Sequence, residues 1–164
     1  MNITLIGMPA SGKSTVGVLL AKRLGMSFID TDILIQEQEK RLLKEIIEKE
    51  GLDGFLKVEN QVNRDVKAEN AVIAPGGSVI YGREAMEHLK RISTVVYLKL
   101  EYKELEKRLG NLKDRGVVLR EGMTLKDLYE ERVPLYEQYA DVVVDEQGKD
   151  AGDIVDVLRE TFKE

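Results

Sequence analysis

The chain has 164 residues, 43% of them hydrophobic and 34% charged, with a formal net charge of −5, one histidine and no cysteine. That length suits one compact domain around one core, and the missing cysteine excludes disulfides, thiol nucleophiles and thiolate metal sites. The acidic balance, with no Lys/Arg cluster interleaved with aromatics, argues against nucleic acid as a partner; no run reaches the roughly 18 apolar residues of a membrane span and no basic leader precedes Ile3, so a cytoplasmic address without membrane attachment is expected.

The first strand is predicted at Ile3–Ile6, and it runs directly into Gly7-Met8-Pro9-Ala10-Ser11-Gly12-Lys13-Ser14-Thr15. This stretch satisfies G-x-x-x-x-G-K-[ST] in its proper context, after a strand and opening a helix with apolar positions at Val16, Leu19, Leu20 and Leu24. The glycines let backbone amides of Gly7, Ala10, Ser11, Gly12 and Thr15 turn toward anionic oxygens, and the helix adds its positive end. Lys13 is placed to reach the β- and γ-phosphates and Ser14 to bind Mg²⁺.

A second strand at Ser27–Ile29 ends in Asp30 and Asp32, predicted to point to a similar side. One carboxylate suits the magnesium water shell and the other an attacking hydroxyl; capping a helix that starts at Ile33 is the competing role for Asp32. Residues 31–70 read as a helical insert broken near Gly51–Gly54, with Leu42, Leu43, Ile46 and Ile47 as its buried stripe. The third strand, Ala71–Ala74, leads into Pro75-Gly76-Gly77-Ser78. An amphipathic helix follows, with His88 expected on its surface, then a fourth strand at Thr94–Leu98. Residues 110–123 are glycine-punctuated and basic, as a mobile lid would be. Tyr129, Tyr136 and Tyr139 form a packing stripe before a fifth strand at Asp141–Val144 and a last helix through Ile154 and Leu158. Strands alternating with helices predict an α/β doubly covered parallel sheet, with ligands at the carboxyl ends of its strands.

Among nucleotide-binding classes, a GTPase would need D-x-x-G followed by N-K-x-D. Here "NLKD" at 111–114 has the wrong second residue, and "DEQG" at 145–148 comes after it. A large ATPase would end an apolar strand in aspartate, whereas the third strand ends in Pro75-Gly76. A small-molecule kinase fits better.

Taken together, "GMPASGKST", "FIDTD", Phe55 with Glu59 four residues on, "GGS" at 76–78, "DRGVVL" at 114–119 and "ERVPLYEQYAD" at 131–141 resemble the shikimate kinase family, in its order and over nearly the whole chain. The resemblance implies a P-loop fold of the nucleoside-monophosphate-kinase type: one domain over 1–164, with a substrate-binding insert at about 31–70 and a lid at about 110–123. It implies transfer of the ATP γ-phosphate to the 3-hydroxyl of shikimate by a monomer, with Mg²⁺. Lys13 and Ser14 resemble the phosphate and metal residues, Asp30 a carboxylate behind the metal, and Asp32 the group bonded to substrate hydroxyls. Gly76 and Gly77 resemble glycines whose backbone touches the substrate, Arg132 a grip on its carboxylate, Arg108 the residue stacked on adenine, and Arg115 the lid arginine.

The sequence departs from the family pattern at three places. The family has Phe-Arg-x-x-Glu where this chain has Phe55-Leu56-Lys57-Val58-Glu59, so Leu56 replaces a second arginine on the carboxylate; Lys57, about 100° round a helix, should point elsewhere. Ser78 replaces a third glycine, and Gly116 follows Arg115 where the family has proline. If residues 54–69 form one helix, Asn60 and Asn63 share the face of Leu56. A neutral or zwitterionic hydroxyl substrate, held by Arg132 with Glu59 or the asparagines, is therefore the rival to shikimate, and an idle nucleotide sensor is a third reading.

Overall fold

The computed structural model describes residues 1–109 and 119–163. Five parallel strands, β1 (Ile3–Ile6), β2 (Ser27–Asp30), β3 (Ala71–Ala74), β4 (Thr94–Lys99) and β5 (Val142–Asp145), form one sheet in the order β2-β3-β1-β4-β5. The register pairs Ile3 with both Val72 and Thr94, and Val96 with Val142. β1 and β3 are buried at every position, as central strands covered on both faces must be.

Alternation sends successive side chains to opposite layers. Ile3 and Leu5 of β1 with Val96 and Leu98 of β4 pack under α1 (Lys13–Leu24) and α7 (Ala151–Thr161), through Val16, Leu20, Ile154 and Leu158. Ile6, Ile73, Val95 and Tyr97 face the other way, against α4 (Arg83–Ile92), α5 (Tyr102–Leu109) and α6 (Leu125–Tyr139). In that layer Tyr97 and Tyr136 stack with centroids 5.1 Å apart. α2 (Thr31–Glu39) and α3 (Leu43–Arg64) carry a smaller core of their own, Ile35, Ile46, Phe55 and Val62.

Three sequence expectations shift. Asp30 belongs to β2 and its side chain caps α2, accepting from the backbone N–H of Asp32 at 2.9 Å, so the helix starts at Thr31 and Asp32 sits inside its first turn. Asp32 is therefore not the cap, and strand alternation does not govern the pair. α3 ends at Arg64, short of 69, and its break is confined to Gly51, whose φ of 75° and ψ of 175° lie in a region kept almost wholly for glycine. β5 begins one residue later than predicted, because the Asp141 carboxylate accepts from the Val95 N–H at 2.8 Å at the strand's entrance.

Candidate active site

Because β1 is the central strand, the loop after it lies at the middle of the sheet's carboxyl edge. Ala10 and Gly12 hold left-handed backbone, φ 68° and 87°. The Lys13 ammonium donates to the carbonyls of Gly7, at 2.8 Å, and Met8, at 3.0 Å. Burial lowers its pKa to about 8, against the pull of Asp32. Ser11 is fully buried, its hydroxyl without a partner, while Ser14 and Thr15 are exposed and line the open chamber beyond. Arg108 donates to the Ala10 carbonyl at 2.9 Å and to Glu104 at 3.1 Å, tying α5 to the loop.

That chamber, of about 840 Å³, is lined on its far side by Asp30, Asp32, Phe55, Gly76, Gly77, Ser78 and Arg132. Burial, reinforced by the charge of Asp30, raises Asp32 to about 6. Burial also raises Glu59, 2% exposed, to about 7, and the Ser78 hydroxyl, donating to Glu59 Oε1 at 2.7 Å, opposes that shift. Gly76 lies so close that a Cβ there would stand 2.9 Å from Asp32 Oδ1 and 3.1 Å from Glu59 Oε2. At Gly77 a Cβ would lie 3.1 Å from Arg132 Nη1 and 3.3 Å from the Gly7 carbonyl. The turn after β3 thus joins the phosphate loop to the acidic pair on one side and to Arg132 on the other.

Arg132, on α6, is 6% exposed. Its guanidinium lies over the Tyr81 ring, 5.4 Å from the centroid, and among the described residues it forms no ion pair. Tyr136, one turn further along α6, donates to the Gly77 carbonyl at 2.6 Å. Leu56 does not face the acidic pair: it lines a narrow cleft beside Arg132, with Leu52, Tyr81 and Arg120. Lys57 is exposed, as its helical position requires.

The asparagines are committed elsewhere. Asn60 donates to Glu84 and accepts from the Ala85 N–H, pinning α3 to α4, and buried Asn63 donates to the Glu59 carbonyl. Neither lines the chamber, and Asn63 Oδ1 is buried without a partner. His88 is half-buried rather than a surface residue, 2.6 Å from the Val66 carbonyl. Arg115 and the lid positions 110–118 lie outside the described residues.

Sequence reasoning missed Tyr81, the Ser78–Glu59 bond and Glu146. Glu146, 4% exposed, is raised to about 7 by burial against the opposing charges of Arg108 and Lys13. It lines a second cleft of about 600 Å³ with Lys103, Lys107, Arg108 and Gln147. No local pattern marks these residues, because contacts across the fold create their environments.

The oxygen donors suit a hard cation. Asp32 Oδ1 is buried without a hydrogen-bond partner, and the Ser14 hydroxyl and Asp30 line the same chamber. Among the described residues no three His, Cys, Asp or Glu side chains gather into a cage. A cation held by one or two protein oxygens, with phosphates and water completing its shell, matches that sparse set.

A phosphate loop on the central strand of a five-stranded parallel sheet, facing a chamber with carboxylates and a buried arginine, defines a P-loop small-molecule kinase of the nucleoside-monophosphate-kinase type. A family profile described as Shikimate kinase matches residues 9–163, and the chain belongs to the shikimate kinase family. The shikimate kinase of Moorella thermoacetica is 38% identical over 165 residues, 99% of this chain and 94% of that one. Another, from Clostridium botulinum strain Kyoto, is 38% identical over 167 residues, covering 99% and 96%. Among solved structures, shikimate kinase from Acinetobacter baumannii in complex with shikimate superposes with a TM-score of 0.86 at 33% identity, covering 98% of this chain and 92% of that one. The Aquifex aeolicus enzyme gives 0.86 at 34%, covering 99% and 96%. Among the described residues no helix is long and apolar enough to cross a membrane.

Proposed function

We propose that this protein transfers the γ-phosphoryl group of ATP to the 3-hydroxyl of shikimate, as one kinase domain over residues 1–164, acting as a cytoplasmic monomer. The observation that carries this reading is that Lys13, Asp32 and Arg132 line one chamber: a phosphate cation, a carboxylate base and a buried cation for an acceptor carboxylate. The Asp32 carboxylate takes the proton of the acceptor hydroxyl as its oxygen bonds to the γ-phosphorus. The bond to the β,γ-bridging oxygen breaks, and ADP leaves. Lys13 and the amides of Gly7, Ala10, Ser11, Gly12 and Thr15 hold the transferring charge in place, which supplies most of the catalysis in phosphoryl transfer. Ser14 and Asp30 would hold Mg²⁺, which when bound neutralises phosphate charge. Gly76, Gly77, Ser78 and Glu59 position the acceptor, Arg108 stacks on the adenine ring, and Arg115, on a lid at about 110–123, closes on the phosphates.

One observation favours a second acceptor: Leu56 presents an apolar side chain beside Arg132. A hydroxyl metabolite with a smaller charge demand would suit that wall. ADP release from MgATP with shikimate, measured for the unmodified protein and for Leu56→Arg, separates the readings. Saturable turnover by the unmodified protein supports shikimate; turnover only by the variant points to a different hydroxyl acceptor. Nucleotide binding without turnover of any hydroxyl acceptor would leave a sensor.

A further inference from the structure

Arg132 presents a physical problem. A guanidinium this deeply buried, with a tyrosine ring and hydroxyl as its company, has no carboxylate within ion-pair distance among the described residues, a costly arrangement for a charge. An anion entering the chamber resolves it. A narrow cleft that Arg132 also lines brings a second cation close to it. Arg120 lines that cleft together with Arg132, Leu52, Leu56 and Tyr81. Its Nη1 lies 3.4 Å from Asp53 Oδ1, and Asp53 stands three residues before Leu56, on the same face of α3. The guanidinium of Arg120 therefore hangs over the stretch of α3 where Leu56 contributes only hydrocarbon. Glu131, the cleft's one acidic residue, already accepts from the Tyr81 hydroxyl at 2.8 Å.

We propose that Arg120 is a substrate-binding residue, the second guanidinium of a two-arginine clamp with Arg132 that holds the acceptor's carboxylate across Leu56. The inference rests on the acceptor reading above. Its present partner is an exposed one: the Asp53 side chain is 80% exposed and that of Arg120 53%. Such a pair contributes little to stability, so the guanidinium can exchange Asp53 for an incoming carboxylate at small cost. Two planar guanidiniums approaching from α6 and from the segment before it would grip a carboxylate from two sides, a geometry one lysine does not reproduce. Lys44 is the competing cation. It lines the main chamber from the first turn of α3, 83% exposed.

Steady-state kinetics with shikimate and with its methyl ester, for the unmodified protein, Arg120→Ala, Lys44→Ala and Leu56→Arg/Arg120→Ala, tests this. The expected result is a shikimate KM raised about tenfold or more in Arg120→Ala, the scale of one lost charged hydrogen bond, with the ATP KM moving far less. The preference for shikimate over its ester should shrink by a similar factor, which a merely structural loss would not produce, and the double variant should recover it. An unchanged shikimate KM in Arg120→Ala, or a loss that follows Lys44→Ala instead, overturns the clamp alone. No turnover of shikimate by the unmodified protein overturns the acceptor reading and the clamp with it.

Discussion

Asp32 and Lys13 face one another across the chamber, and burial pushes both toward their neutral forms. The carboxyl rises to about 6 and the ammonium falls to about 8. Both charges are needed at once, the anion to receive a proton and the cation to hold phosphate oxygens. The anion prevails only above the raised value of Asp32, and the cation only below the lowered value of Lys13. The kcat/KM for ATP, which reports the free enzyme, should therefore form a bell with an acid limb near pH 6 and an alkaline limb near pH 8, both belonging to the coupled cluster. Asp32→Asn should lower kcat by about 10²–10⁴-fold and erase the acid limb. A profile that shows no fall on either limb would contradict this assignment. The identities of these residues were legible in the sequence, because a phosphate loop and a paired aspartate have fixed spacing. Their titration was not, since it depends on how deeply a folded chamber hides them. The same holds for Ser78. As a departure from a glycine it was visible, but its bond to Glu59 required knowing that β3's turn folds back onto α3.

At the scale of elements, the strand pattern was legible to within a residue at β1, β3 and β4, because strands buried on both faces read as unbroken apolar runs. The insert was harder. Its period was visible and so was a glycine-rich break, yet helical spacing does not say which side chains meet the chamber: Phe55 lines it and Glu59 bonds to Ser78, whereas Asn60 is bonded to α4 and Asn63 to the Glu59 carbonyl. At Gly51 a Cβ would touch nothing within 4 Å. The conformation alone, φ 75° and ψ 175°, resists a side chain. Gly51→Ala should therefore cost about 1–3 kcal/mol in urea unfolding, the usual size of such backbone strain. It should also raise the shikimate KM more than the ATP KM, because α3 rather than the phosphate loop is redirected. Stability equal to that of the unmodified protein would mean that the break does not depend on glycine.

The whole molecule divides by where its hydrophobic clusters lie. The sheet and its covering helices share two large cores, whereas α2 and α3 rest on four buried apolar side chains of their own. Within α3 the portion after Gly51 is fastened to α4 by Asn60, bonded to both Glu84 and Ala85, while the portion before it leans on Ile35, Ile46 and Phe55. Local opening free energy follows such contacts. The first half of the insert, 31–50, should then open as a unit about Gly51 without disturbing β1, β3 or β4. Hydrogen exchange at neutral pH should show amides of 31–50 exchanging well before those of 55–64 and of the central strands. Shikimate with an ATP analogue should slow the first group most, because Asp32, Leu43, Lys44 and Ile47 all line the chamber that the acceptor would fill. Uniform protection across both halves of α3 would mean that the insert opens only when the sheet does. Closure over the acceptor would then have to come from elsewhere in the chain.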